Sequence, residues 1–368
     1  MDRNFLQILK KHRRKYSLME PQDVGKLIYQ SEFGPEHMVC DKGQAESSLI
    51  GEWNVLPKDS GGVLPGRGEF IREVSSSLCR FPLSVCETAD EAKLLAHLFT
   101  VTAGEHRGTM KGLEEKLEQL KTLHIPGMEE WAAAWKQEGY PPVHHSRIYR
   151  ETYHPHYRLI KKEYSDYFPI LFEIYRLAVR DKPAVIAIDG RCGSGKTYLA
   201  GVVGKLFPCN ICHMDDFYLP LEQRQQNWKE IPGGNMDLER FLAEVLRPIR
   251  AGQKIFYHPY DCRKNGMGEV VQMPYCNLTV IEGSYSCHPA LAAEHDLTIF
   301  LTCGREEQRK RLQMREGAYF SAFEKVWIPM EENYLQCYSI ETSSSLIMDT
   351  GTLEITDKNK LQKGGMVT

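Results

Sequence analysis

Eight consecutive residues carry the most specific chemistry in the chain: Gly190-Arg191-Cys192-Gly193-Ser194-Gly195-Lys196-Thr197. They match G-x-x-x-x-G-K-[ST] without a gap. Glycines let a backbone wrap closely around phosphates, using torsions closed to other residues. The peptide N–H groups and a following helix N-terminus then face the anion. In this pattern Lys196 brings positive charge to the β- and γ-phosphates, and the Thr197 hydroxyl ligates Mg²⁺. Gly190, Cys192, Gly193, Ser194, Gly195, Lys196, Thr197 and Tyr198 are therefore the candidate nucleotide-binding residues. ATP or another nucleoside triphosphate, with Mg²⁺, is the expected cofactor. A second element follows at Ile211-Cys212-His213-Met214-Asp215-Asp216-Phe217-Tyr218, where two acids end an apolar run. A carboxylate there can take the proton of an attacking hydroxyl. The plain alternative is an Asp capping the next turn.

These groups need a scaffold. Ala184–Ile188 is a short continuous apolar run, the mark of a strand buried on both faces. Further strands are expected at Asn210–Met214, Leu278–Ile281, Leu297–Leu301 and Leu346–Met348. Helical patterns lie between them at Lys196–Leu206, Leu238–Ala251, Arg305–Arg315 and Ala322–Tyr338. This alternation predicts an α/β fold, a parallel sheet with helices on both faces. Residues 1–180 read as a mainly α-helical domain, 181–358 as the phosphate-loop domain, and 359–368 as a disordered tail. In the first half, helices are expected at Pro21–Gln30, Ala45–Leu56, Glu87–Thr102, Thr109–Leu123 and Met128–Lys136, with turns at Gly61-Gly62 and Pro65-Gly66.

Taken in order, the motifs of residues 183–340 resemble the uridine kinase family of phosphate-loop kinases, whose relatives include phosphoribulokinase and bacterial pantothenate kinase. That family has a D-x-F-Y element, and the resemblance implies that Asp215 is the base and Tyr218 the substrate-side tyrosine. Asn235-Met236-Asp237 is similar to its N-x-D element, which implies that Asp237 holds ribose hydroxyls. Pro259-Tyr260-Asp261 is similar to its P-x-Y-D element, adding Tyr260 and Asp261 as substrate residues. Glu282-Gly283 matches a strand-end E-G whose acid lies near the metal. Arg309, Arg311 and Arg315 are similar to its lid arginines, which implies catalytic roles for Arg311 and Arg315 beside Lys196. Each match has a plain reading too: Asp237 as a helix cap, Glu282 as a structural acid, the arginines as one solvated face. The family's pyrimidine-contacting His is absent, and Asn265 stands near its place. The segment Glu222–Gly234 has no clear counterpart.

Composition bounds the rest. The chain has 368 residues, 42% of them hydrophobic and 26% charged, which excludes disorder as the dominant state. Net charge is -3, with 25 basic and 25 acidic residues balancing in 1–180. Neither half has the basic excess of a general nucleic-acid binder. No apolar run reaches the ~20 residues of a membrane span, and no secretory signal precedes the basic Lys10–Lys15 cluster, read as a solvated helix end. A cytoplasmic location is expected. The 11 cysteines are scattered. Cys209 and Cys212 form a lone C-x-x-C beside His213; a zinc site requires a second ligand pair, for which Cys287-His288 is the nearest candidate, and the plain alternative is small buried residues on a strand.

In the first half, His37, His144 and His145 with Glu32 or Glu36 are candidate metal or anion ligands. The alternatives are polar aromatic packing and base stacking. Bacterial proteins that place a helical region before a uridine kinase-like domain resemble the whole arrangement, which implies no activity for that region. The expected partner is a small-molecule acceptor, not nucleic acid or membrane, with a homo-oligomer left open. The leading expectation is an ATP-dependent kinase acting on a nucleoside-like hydroxyl. The alternatives are a kinase for a sugar or pantothenate-like alcohol and a nucleotide-gated regulatory ATPase.

Overall fold

The computed structural model describes residues 5–39, 41–57, 72–262 and 264–357. The expected tail at 359–368 and the turns at Gly61-Gly62 and Pro65-Gly66 lie outside them. The chain divides into two units, Met1–Phe168 and Pro169–Thr368.

Among the described residues of the first unit, seven helices of seven or more residues run from Phe5–Lys15 to Arg147–Tyr153. Lys10, Lys11, Arg14 and Lys15 are exposed at the end of the first of them. Thr88 accepts the Glu91 N–H while the Glu91 carboxylate accepts the Thr88 N–H, which caps helix Ala89–Glu105. Besides the expected helices there is an antiparallel pair, β1 (Leu78–Pro82) and β2 (Tyr157–Lys161). Every residue of β1 is buried, Arg80 included.

A buried polar chain accounts for that arginine. Its guanidinium donates to Gln30 Oε1 at 2.9 and 3.1 Å and lies over the Tyr157 ring. Gln30 and Tyr157 are hydrogen-bonded, Tyr157 meets His145 Nε2 at 2.8 Å, and His145 Nδ1 meets Asp23 at 2.8 Å. The Arg80 and Asp23 charges thus sit at two ends of one hydrogen-bonded network, as buried charges require. His145 therefore has a role in packing, and His144 is exposed. Glu32 pairs with Lys116 at 2.9 Å. Among the described residues no three His, Cys, Asp or Glu side chains gather as metal ligands.

Burial holds His145 down to about 4 and His12 down to about 3, so both imidazoles are neutral in the fold. The unfolded chain protonates them near 6.5. Their contribution is therefore fully present above pH ~6.5 and is lost as pH falls toward 4. At about pH 5 each histidine is expected to cost the unit roughly 2 kcal/mol relative to pH 7.5. Urea unfolding at the two pH values, with hydrogen exchange assigning the transition to residues 5–168, checks this. A flat profile contradicts it.

The second unit is built on a six-stranded sheet. In chain order its strands are β3 (Ala184–Gly190), β4 (Asn210–His213), β5 (Leu278–Glu282), β6 (Leu297–Thr302), β7 (Leu346–Asp349) and β8 (Glu354–Asp357). Their spatial order is β8-β7-β6-β3-β5-β4, parallel throughout except for β8. With helices on both faces this is the expected α/β fold. All seven positions of β3 are buried, its apolar run included, as a central strand covered on two sides must be. Register aligns the carboxyl ends: Glu282 stands opposite both Ile188 and His213, and Gly190 opposite Leu301. Ligands bind beyond this edge in open α/β sheets. Two small hairpins, Ile255–Tyr257 with Val271–Met273 and Tyr260–Asp261 with Gly266–Met267, precede β5.

Two of the expected helices are interrupted. Leu238–Arg250 contains one wide turn at Leu242–Leu246, just before Arg247-Pro248. Phe320–Cys337 contains another at Phe323–Trp327, just before Ile328-Pro329. A proline has no N–H to give and its ring crowds the carbonyl four residues back. Widening one turn relieves both conflicts and lets the helix continue.

Candidate active site

The loop after β3 is shaped by positive torsions at Gly190 (φ 138°), Gly193 (φ 76°) and Gly195 (φ 97°). Below it, the fully buried Asp189 accepts the Gly190 N–H at 2.7 Å, the Cys287 N–H at 2.9 Å and the Tyr334 hydroxyl at 2.8 Å. Burial pushes this carboxyl up to about 6 against those donors. Arg191 points away from the cradle and pairs with Glu332 at 2.7 Å and Glu341 at 3.0 Å. Lys196 Nζ turns back onto the Gly190 and Arg191 carbonyls at 2.5 and 3.2 Å. Helix Lys196–Leu206 starts at Gly195 with no side-chain cap, so its first N–H groups are left to an anion. The Ser194 hydroxyl is buried with no partner among the described residues. Burial pushes the Cys192 thiol up to about 12, which keeps it a thiol.

Across the cradle, the Thr197 hydroxyl donates to Glu282 Oε2 at 3.1 Å, and Glu282 Oε1 meets His213 Nδ1 at 2.6 Å. That hydrogen bond raises the His213 imidazole above its ordinary value. A hydroxyl and a carboxylate 3.1 Å apart beside the phosphate loop are hard oxygen donors, and they fit Mg²⁺.

The two strand-end acids diverge. Asp215 accepts the Tyr218 hydroxyl at 2.9 Å and lines the cavity, while Asp216 accepts the Tyr257 hydroxyl at 2.8 Å. Burial holds the Tyr218 phenol well above its ordinary value, so it stays a donor. Arg311 is clamped by Glu307 at 2.9 Å, the Gly193 carbonyl at 3.2 Å and Thr350 Oγ1 at 2.8 Å. Arg315 pairs with its neighbour Glu316.

One cavity of about 1150 Å³ collects most of these groups. Cys192, Gly193, Gly195, Lys196, Thr197, Tyr198, Asp215, Tyr218, Glu282, Arg311 and Arg315 all line it. Gly190, Ser194, Asp237, Tyr260 and Asp261 are not on its wall, nor is Arg309, which pairs with Glu324. Asp237 accepts the Arg240 N–H at the start of helix Leu238–Phe241, and a bridge between Tyr218 and Met236 holds its segment beside Tyr218. The Tyr260 hydroxyl donates to Asn265 Oδ1. Asp261 lies 3.7 Å from Lys264.

Not singled out from the sequence were Ser284, Tyr285, Cys262, Glu316, Tyr319, Ala322, Phe323, Trp327 and Glu331, which with Gly283 complete the wall. Ser284 and Tyr285 directly follow Glu282-Gly283, and that adjacency was the available signal. Thr350 was missed as well: it bonds Arg311 and the Ser194 carbonyl from just beyond β7. Of the C-x-x-C pair, Cys212 is fully buried on β4, and none of the described cysteines is in a disulfide.

No family model and no curated protein matches the chain. Solved structures do. A possible uridine kinase from Bacillus stearothermophilus is 19% identical, with 51% of this chain and 100% of that one covered, at a TM-score of 0.41. A candidate fructose transport system kinase from Silicibacter sp. TM1040 is 20% identical over 45% of this chain and 87% of that one, at 0.36. The YGR205w protein is 17% identical over 53% and 94%, at 0.34.

Proposed function

We propose that the second unit is a kinase that moves the terminal phosphoryl group of ATP to the hydroxyl of a nucleoside-like alcohol. One observation carries the reading: the phosphate loop and the strand-end Asp215 face the same cavity. The triphosphate lies in the loop with Lys196 at its β- and γ-phosphates. Asp215 orients the acceptor hydroxyl and takes its proton as the oxygen bonds to phosphorus and the bond to the ADP oxygen breaks. Thr197 and Glu282 would hold Mg²⁺, which neutralises phosphate charge when bound. Arg311 and Arg315 supply charge from the facing wall. Catalysis of this kind rests on positioning and electrostatics. Tyr218, Tyr319, Phe323 and Trp327 give the cavity aromatic faces, which suit a flat-sided acceptor.

A non-nucleoside alcohol is the second reading. It is favoured by Asn265, which stands near the place of the family's pyrimidine-contacting His and bonds the Tyr260 hydroxyl, while neither residue lines the cavity. Incubation with Mg²⁺·ATP and panels of nucleosides, sugars and vitamin alcohols separates the readings. One compound is expected to gain a single phosphate by mass spectrometry and to stimulate ADP release. Lys196→Ala is expected to reduce that turnover by at least about a hundredfold. ADP release indifferent to every alcohol contradicts the proposal and favours a regulatory ATPase.

A further inference from the structure

The phosphate cradle contains a protein carboxylate. Glu331 sits on helix Ile328–Cys337 and is 4% exposed. Its Oε2 accepts the Cys192 N–H at 2.7 Å. Its Oε1 accepts the Ser284 hydroxyl at 2.5 Å and stands 3.9 Å from Lys196 Nζ. A loop N–H and the loop lysine, which reaches the β- and γ-phosphates in this motif, thus already face a carboxylate. The lysine marks the β/γ end of the site, so the acid lies where the terminal phosphoryl oxygens must arrive. Two negative charges a few ångströms apart in a partly enclosed cavity repel strongly.

We infer that Glu331 determines nucleotide specificity, because its charge competes with the terminal phosphoryl group for the cradle and sets the balance between triphosphate and diphosphate. This inference rests on the kinase reading. Diphosphate leaves the contested position empty and tolerates the acid. Triphosphate displaces the carboxylate or binds against it. The pairing also sets a counter-charge beside Lys196, and no ion pair closer than 3.9 Å neutralises this nearly buried acid among the described residues.

Calorimetric titration of Mg²⁺·ATP and Mg²⁺·ADP into wild-type, Glu331→Gln and Glu331→Asp chains tests this. Gln keeps an acceptor for the Cys192 N–H and a polar partner for Ser284 while removing the charge. It is expected to tighten Mg²⁺·ATP by at least about tenfold and Mg²⁺·ADP by less than about threefold. Asp keeps the charge, and its ATP affinity is expected to stay within about threefold of wild type. If the wild type binds ATP and Gln leaves that affinity unchanged or weaker, the inference is overturned and the kinase reading stands. A Gln variant that fails to fold also overturns it, because a competing charge, unlike a structural pin, is dispensable to folding. If neither chain binds any nucleotide, both readings fall together.

Discussion

Asp215→Asn is expected to slow phosphoryl transfer by about a thousandfold while leaving the Mg²⁺·ATP affinity within about twofold. The side chain lines the cavity and is held by the Tyr218 hydroxyl, so an amide of the same shape keeps its place. What it loses is the capacity to take a proton. General-base contributions fall at about a hundred- to ten-thousandfold, and the loss appears in the chemical step rather than in ground-state binding. The adjacent acid is the control. Asp216 faces Tyr257, so Asp216→Asn is expected to cost about 1 kcal/mol of stability and little turnover. Single-turnover formation of the phosphorylated acceptor, alongside calorimetric ATP affinity, reads both variants. A loss below about tenfold for Asp215→Asn assigns the base elsewhere.

Gly190→Ala is expected to remove at least about 3 kcal/mol of stability and to abolish nucleotide binding. A Cβ at this position would lie 1.9 Å from the Leu301 carbonyl oxygen and 2.7 Å from its nitrogen. Both contacts are backbone atoms of the neighbouring strand, so nothing flexible can yield. The torsion, φ 138°, adds strain for any L side chain. Relief requires β3 and β6 to separate at the point where the Arg191 N–H bonds the Leu301 carbonyl, and that point is the root of the cradle. Gly201 is the contrast: it lies in helix Lys196–Leu206 with open space around its missing Cβ. Gly201→Ala is expected to stabilise by roughly 0.5–1 kcal/mol. Thermal unfolding of the two variants checks the pair, and similar shifts would contradict the clash.

Legibility followed from how local each feature is. The phosphate loop, its buried strand and its helix are contiguous, so one motif and one apolar run were enough to place them. The separation of Asp215 from Asp216 was not legible, since it depends on Tyr257 arriving from a later hairpin strand. Glu331 lies 139 residues beyond the loop N–H that it meets, on a helix without a motif. β1 was hidden because Arg80 interrupts its apolar pattern, and the partners that make the arginine tolerable come from Gln30 and Tyr157. β8 escaped because its residues are exposed or half-buried, with no apolar face to betray an edge strand. The wide helix turns were signalled by Pro248 and Pro329, but a proline in a helical pattern announces a disturbance and not its form.

Phosphoryl transfer in this cavity requires the glycine loop to hold a triphosphate. Its most direct test is calorimetry of ATP against the folded full chain, with and without Mg²⁺, beside Lys196→Ala. Saturable one-to-one binding that requires Mg²⁺ and is lost in the variant is the predicted result. A folded wild-type chain that shows no Mg²⁺-dependent affinity, or one that Lys196→Ala leaves intact, would contradict it.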